Sequence, residues 1–346
     1  MSASVPRTAT LAVACTLALV VDRPLTLNAQ GPNTRGNPSQ IVTETDFDLD
    51  NVPDAVVTRT FTYQSGNPVQ IVTVFDGNTI IDADGVPDQT QTQTTTFDAQ
   101  GKPLQDVVLI DLGANGTIDQ QRIADYTYDG HGNLLLRDDN VFNYITGVQL
   151  NHNTFESTWD NHDNLLTQVI ENDFDNDGVI DRRQSLENEY DQKGNVIENT
   201  IETDTDGDGV VDIRRVTTIQ RDNNGRPTLQ TLSIDDPADG AIDETRTTHS
   251  FVFQGGAIHE VSTDRDTAPL GAPPDWTSVT TFTYDQGGLL ISQSTAYDIG
   301  ADGSVDFTLV NTAAYNNKKN LTETVNQVDI DGDGSVDQRV RTIYTY

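Results

Sequence analysis

Asp204-Thr205-Asp206-Gly207-Asp208-Gly209-Val210-Val211-Asp212 leads into Ile213-Arg214-Arg215-Val216-Thr217-Thr218-Ile219-Gln220-Arg221 and then into Asp222-Asn223-Asn224-Gly225. An Asp-rich loop, a nine-residue segment rich in β-branched residues and a Gly-containing turn thus follow one another, and the same succession recurs along the chain. The turn position, usually Gly, falls at Gly36, Gly66, Gly101, Gly132, Asp163, Gly194, Gly225, Gly256, Gly288 and Lys319, in steps of 30 to 35 residues, most of them 31. An aromatic position keeps pace at Tyr63, Phe97, Tyr128, Trp159, Tyr190, Tyr284, Tyr315 and Tyr346, with Arg221 and Val252 in the two remaining places. Three features in one register make internal repetition the governing signal, and a period of this length means stacked supersecondary units.

Each unit reads as two strands joined by the Asp loop and separated from the next unit by the turn. The segments are rich in Thr, Val, Ile and aromatics, which suit a pleated surface. Alternation in Tyr126-Thr127-Tyr128 and Phe282-Thr283-Tyr284 gives each strand one covered and one wet face. Ten units make twenty strands, and short connections pair neighbours antiparallel as a meander. The expectation is an all-β fold: a single repeat domain over residues 30–346, forming a continuous antiparallel, curled or spiral, solenoid-like sheet. Asp loops run along one edge and Gly turns along the other.

Residues 1–29 read as a signal peptide, with Arg7 before the apolar run Leu11 to Val21 and a small-residue cleavage site at Leu27-Asn28-Ala29. That run is too short to span a bilayer. A lipoprotein reading centred on Cys15 is the alternative. The expected location is extracellular. After cleavage at Ala29 no cysteine is left, so staples other than disulfides are needed, and metal ions qualify. The formal net charge of −34 leaves no basic patch for nucleic acid. Its acids concentrate in one loop, which solubility alone does not explain.

That loop is the candidate metal site. Asp173, Asp175, Asp177 and Asp181 show the full pattern, as do Asp204, Asp206, Asp208 and Asp212, and Asp329, Asp331, Asp333 and Asp337. Calcium takes six to eight oxygens, and carboxylates at loop positions 1, 3, 5 and 9, with Gly at 6 for the sharp turn, supply them. Asp46, Asp48, Asp50 and Asp54 repeat the set with Asn51 in place of Gly, and Asp82, Asp84 and Asp88 follow a four-residue insertion after Asp76. Weaker versions without a carboxylate at position 3 are Asp111, Asn115 and Asp119; Asp235, Asp239 and Asp243; and Asp298, Asp302 and Asp306. Up to about eight calcium ions are expected, with metal driving the loops to order. Metal-free Asp-Gly turns are the alternative. Phe142 to Leu150 and Thr267 to Asp275 have lost the pattern.

The loops resemble the Asp-rich calcium loops of EF-hands, thrombospondin type 3 repeats and FG-GAP-type blades, but strands flank them and Gln184 and Arg215 stand where an EF-hand has its last Glu. Tyr128-Asp129-Gly130-His131-Gly132, Tyr190-Asp191-Gln192-Lys193-Gly194 and Tyr284-Asp285-Gln286-Gly287-Gly288 resemble the YD repeats of the RHS family. That resemblance implies β-hairpins curling into spiral sheets or closed shells, with an aromatic packed over a Gly-containing turn. It carries over no toxin role.

No nucleophile elbow, phosphate loop or paired histidine set is present, and His131, His152, His162, His249 and His259 are scattered. An enzyme is not expected. Gly36-Asn37-Pro38 repeats Gly66-Asn67-Pro68, so the mature chain opens inside a turn motif, and Tyr346 closes it inside another. Without caps, the strand from Gly36 to Asp46 is expected to pair with the strand from Gln338 to Tyr346 of a second copy, with residues 30–35 bridging. The result would be an extracellular filament or matrix. The rivals are a closed monomeric barrel or propeller and a calcium-stabilised adhesin or glycan-binding surface module.

Overall fold

The computed structural model describes residues 37–46, 52–77, 85–254, 257–267 and 274–346. The expected signal peptide, Gly36 and Gly256 lie outside them. Its strands are β1 (Gln40–Asp46), β2 (Ala55–Gln64), β3 (Asn67–Asp76), β4 (Gln89–Phe97), β5 (Pro103–Leu112), β6 (Gln120–Tyr128), β7 (Leu134–Asn143), β8 (Gln149–Trp159), β9 (Leu165–Asp173) and β10 (Arg182–Tyr190). There follow β11 (Val196–Asp204), β12 (Ile213–Arg221), β13 (Pro227–Asp235), β14 (Glu244–Gln254), β15 (Ala257–Thr267), β16 (Trp276–Tyr284), β17 (Leu290–Ile299), β18 (Phe307–Tyr315), β19 (Leu321–Asp329) and β20 (Gln338–Thr345). Each pairs antiparallel with the next.

The sheet does not end. β1 pairs antiparallel with β20, from Gln40 opposite Thr345 to Asp46 opposite Arg339. Ser39 N donates to Thr345 O at 2.5 Å, the hydroxyls of Thr43 and Thr342 meet at 3.3 Å, and Arg341 reaches Glu44 at 3.5 Å. This corrects the sequence expectation. The sheet is a closed barrel, not an open spiral or solenoid, and the edges expected to join copies into a filament fill each other within one chain. The physical reason is the register. Thr345 opposite Gln40 repeats the pairing of Gln220 with Leu229 that flanks the internal turn at Gly225. The seam is one more turn-side pairing without the covalent turn, and an intramolecular partner held in register outcompetes one from another molecule.

Followed around the circuit, the registers return to β1 staggered by about 20 residues, roughly one residue per strand. That ratio goes with a strand tilt of about 36°, and strands about 4.8 Å apart then enclose a ring roughly 35–40 Å across. Among the described residues each strand touches only its two neighbours. No second layer of described residues covers either face, so among them there is no conventional core; the few buried apolar residues, such as Ala124, Leu290 and Leu321, are scattered.

The two faces differ. One carries most of the aromatics with Ala124, Asp139, Ser157, Thr203 and Gln230, all buried. Its side chains bond sideways between strands: Asn199 Nδ2 to Asn188 Oδ1 at 2.8 Å, Gln184 Nε2 to Thr203 Oγ1 at 3.2 Å, and Arg122 Nε to Asp139 Oδ1 at 2.6 Å. The other carries Thr, Val and charged residues such as Glu187, Glu189 and Thr218, and is the more exposed.

The aromatic position has a task that the pattern of rings does not reveal. Tyr63, Tyr128, Tyr190, Tyr315 and Tyr346 each donate the phenol O–H to a carbonyl 25 residues upstream, at 2.7–3.0 Å. Trp159 Nε1 does the same to Leu134 O at 2.9 Å, and the guanidinium of Arg221 spans to Val196 O. Arg221 therefore keeps the donor and dispenses with the ring. Below it, the turn Asp gathers backbone N–H groups: Asp191 Oδ1 accepts from Lys193 N and Asn195 N, and its carboxylate from Asn195 Nδ2. Asp163 and Lys319, in place of Gly, adopt the same left-handed backbone, with φ of 63° at both.

Tyr190→Phe should lower the free energy of unfolding by about 0.5–1.5 kcal/mol, the range for one hydrogen bond, in urea denaturation; an unchanged midpoint would show the phenol to be idle. The side-chain amides of Asn164 and Asn195, with backbone N–H groups, hold the Asp160 and Asp191 carboxyls below their ordinary range. A carboxyl lowered in the folded state stabilises above its unfolded value and loses that effect as pH falls through the folded one. In chelator, thermal stability should hold down to about pH 4 and drop below it, and the drop should be shallower for Asp160→Asn/Asp191→Asn.

Candidate metal rim

Closure gathers the Asp loops into a ring around one mouth of the barrel and the turns around the other. Each Asp loop follows an odd-numbered strand and is closed by its last carboxylate. Asp119, Asp181, Asp212, Asp243, Asp306 and Asp337 each accept through Oδ2 from the N–H of loop position 2, at 2.5–2.8 Å. The first carboxylate, buried at the strand end in all of these loops but that of Asp298, accepts from the N–H of position 6: Gly116 to Asp111, Gly178 to Asp173, Gly209 to Asp204, Gly240 to Asp235, Gly303 to Asp298 and Gly334 to Asp329, at 2.7–3.0 Å. Asp177, Asp208, Asp239, Asp302 and Asp333 at position 5, and Asn115 in the same place, accept from the N–H of position 7. The loops are therefore ordered by their own Asp side chains, which satisfy backbone donors that would otherwise be left over.

That division of labour ranks the acids by how much of the loop frame each one holds. Positions 1, 5 and 9 recur in every version because the turn needs them. Position 3 carries a lighter duty: Asp175, Asp206 and Asp331 stand there, each accepting one long bond, at 3.3 Å, from the N–H of position 5. Among the described residues, carboxylate oxygens come within 4.8 Å of one another in three groups: Asp173 with Asp175 and Asp181, Asp204 with Asp206 and Asp212, and Asp329 with Asp331 and Asp333. All three contain a position-3 Asp, and one oxygen from each carboxylate is the kind of hard donor set calcium uses. The loops at Asp111, Asp235 and Asp298 keep the hydrogen-bonded frame without such a group. Asp46 is buried and Asp54 N bonds Thr45 O at 2.8 Å, while Asp48, Asp50, Asp82 and Asp84 lie outside the described residues.

Two residues were passed over in the sequence. Asp76 occupies position 1 of the second loop, accepting from Gly85 N at 2.9 Å, and Gly77 N bonds Asp88 Oδ2 at 2.8 Å. Asp275 keeps the closing role, accepting from Thr267 N at 2.7 Å. The four-residue insertion hid the first, and proline-rich surroundings hid the second.

Consecutive loops also touch. Gly113 N donates to Asp88 O at 2.6 Å, Tyr144 N to Asp119 O at 2.9 Å, Ala238 N to Asp212 O at 2.7 Å and Gly300 N to Asp275 O at 2.5 Å. At Gly207 the approach is closer: a Cβ there would lie 1.8 Å from Ile180 O. The described histidine side chains have structural partners instead of a shared site. His131 bonds Asp163 at 3.0 Å, His152 bonds Asp138 at 2.8 Å, and His259 packs edge-on against Tyr284.

No protein family model matches the chain, and no curated protein matches it. Among solved structures it is similar to a porin-like protein from Bacteroides uniformis, at 13% identity and a TM-score of 0.36, covering 90% of this chain and 98% of that one. A porin-like protein from Bacteroides vulgatus gives 11% identity and a TM-score of 0.27, over 78% and 100% of the respective chains. The Photorhabdus luminescens Tc holotoxin pore gives 12% and 0.14, over 92% of this chain and 27% of that one.

Gly207→Ala should cost about 1–3 kcal/mol, from a side chain forced into a left-handed backbone and against a neighbouring carbonyl. Gly178→Ala, where a Cβ would meet nothing within 4 Å, should cost only the left-handed conformation, about 1 kcal/mol. Denaturant unfolding of both in chelator compares them; equal losses would show that loop-to-loop contact adds nothing.

Proposed function

We propose that the protein is a secreted or surface-held, non-catalytic module: a closed monomeric β-barrel whose Asp-loop rim takes up calcium and which serves as a rigid adhesive or glycan-binding scaffold. One observation carries the reading. β20 pairs with β1, so the three convergent carboxylate groups lie on one rim of one closed ring. The chain's net charge of −34 repels itself, and ions at that rim relieve the repulsion where it is densest.

The faces support an aqueous setting. A membrane barrel needs a continuous apolar band about 25 Å tall on its outer face. Here one face carries Glu187, Glu189, Glu198, Glu202 and Arg214, and the other Arg122, Arg137, Asp139, Glu244 and Arg246. Both faces are interrupted by charge in mid-strand, whichever of them looks outward. The same alternation of amide and aromatic side chains on the second face suits a polyhydroxylated ligand, which hydrogen-bonds through its edges and packs through its faces.

Calcium at about 10 mM, some 10–100 times the dissociation constant usual for extracellular loops, should stabilise the fold by about 1.4–2.7 kcal/mol for each filled site. Thermal unfolding with calcium, with magnesium and with chelator reads this. A midpoint indifferent to calcium would remove the ion from the reading, and light scattering that showed assemblies growing with concentration would remove the closed monomer.

A further inference from the structure

The three convergent groups are not equivalent, and one of them sits at the seam. Asp329 ends β19, and the loop it opens leads into β20, whose other edge is paired with β1. Asp329 is only 7% exposed, and its Oδ1 is buried with no hydrogen-bond partner. In the sister loops the same oxygen is satisfied: Asp173 Oδ1 accepts from Asp177 N at 3.2 Å, and Asp204 Oδ1 from Gly207 N at 2.7 Å. In all three loops the N–H of position 5 reaches Oδ1 of position 3 at 3.3 Å, so in the seam loop Asp333 N, bonded to Asp331, adds nothing to Asp329 Oδ1. Gly332 is pressed against the preceding loop, where a Cβ would lie 2.8 Å from Asp306 O. The frame bond from Gly334 N to Asp329 Oδ2, at 2.9 Å, is kept.

An ionised carboxylate oxygen buried without a donor carries its full desolvation penalty. A divalent cation held between Asp329, Asp331 and Asp333 would satisfy that oxygen and cancel the repulsion among the three. The sister sites gain less, because their first carboxylate is already fully hydrogen-bonded. Asp76 Oδ1 is likewise buried and unpartnered, but its loop is described only in part and it stands away from the seam.

Resting on the calcium reading above, we propose that the Asp329 loop is the first rim site to fill and that its calcium ion locks the last hairpin against β1, making barrel closure calcium-dependent. The ion acts through the strand it anchors: ordering residues 329–337 fixes where β20 begins, and thereby the register in which it meets β1.

Calorimetric titration of the mature chain with calcium, alongside Asp329→Asn, Asp331→Asn and Asp173→Asn, tests the order of filling. The tightest site should weaken at least about tenfold in Asp329→Asn and in Asp331→Asn, and persist in Asp173→Asn. Asp331→Asn guards against misfolding, since Asp331 is exposed and outside the frame bond. Hydrogen exchange read on residues 40–46 and 338–345 should slow on adding calcium to the wild type and to Asp173→Asn, and not to Asp331→Asn. Survival of the tightest site in Asp331→Asn, or seam exchange indifferent to calcium while calcium binds, would overturn the proposal. Absence of calcium uptake by the wild type would instead sink the calcium reading on which it rests.

Discussion

Everything in this fold depends on the antiparallel pairing of β20 with β1. A strand edge is a row of unsatisfied N–H and C=O groups, and an open ribbon of this length would leave two of them exposed. Pairing the first strand with the last removes both at once. It also fixes the number of strands, the tilt and the position of every loop, since each unit contributes its share of the turn around the axis. What in an open ribbon would be an edge of Asp loops becomes a ring.

Because no second layer of described residues covers the sheet, its stability rests on elements other than a conventional hydrophobic core. The ladder is reinforced laterally by amide-to-amide and arginine-to-carboxylate bonds on the aromatic face, and at the two mouths by side chains that satisfy leftover backbone groups. The ring of phenol, indole and guanidinium donors at one mouth and the ring of aspartates at the other are two solutions to one problem: capping strand ends where the ladder stops. Net charge works against this arrangement, and the position-3 aspartates, which accept only one long backbone bond each, add repulsion that a cation would relieve.

Much of this was legible in the residues. The period set by Gly66, Gly101, Gly132 and Gly194 gave the hairpins, and the alternation in Phe282-Thr283-Tyr284 gave the faces. Closure was not, because period says how units repeat and not how far each one rotates relative to the last. A turn-like segment before β1 and an aromatic after β20 fit a partner strand in another molecule as well as one in the same molecule. Only accumulated register decides. At the candidate site the aspartates at positions 1, 5 and 9 look like ligands in sequence, and the pattern does not show that in space they also accept backbone N–H groups and so hold the loop's shape. Arg221 shows the converse. It breaks the aromatic pattern on paper and keeps the hydrogen bond in three dimensions.

A seam that reproduces an internal turn pairing without the turn has an arithmetic consequence. The ring has no structurally privileged first unit, so opening it at Gly194 and bridging Tyr346 to Asn37 would describe the same barrel with its numbering rotated. Units come only in whole numbers, and gaining or losing one by duplication would step the girth of the ring instead of lengthening a rod. In such an architecture, size is quantised, and a single recombination event changes the width of the opening and the number of aspartate loops around it together.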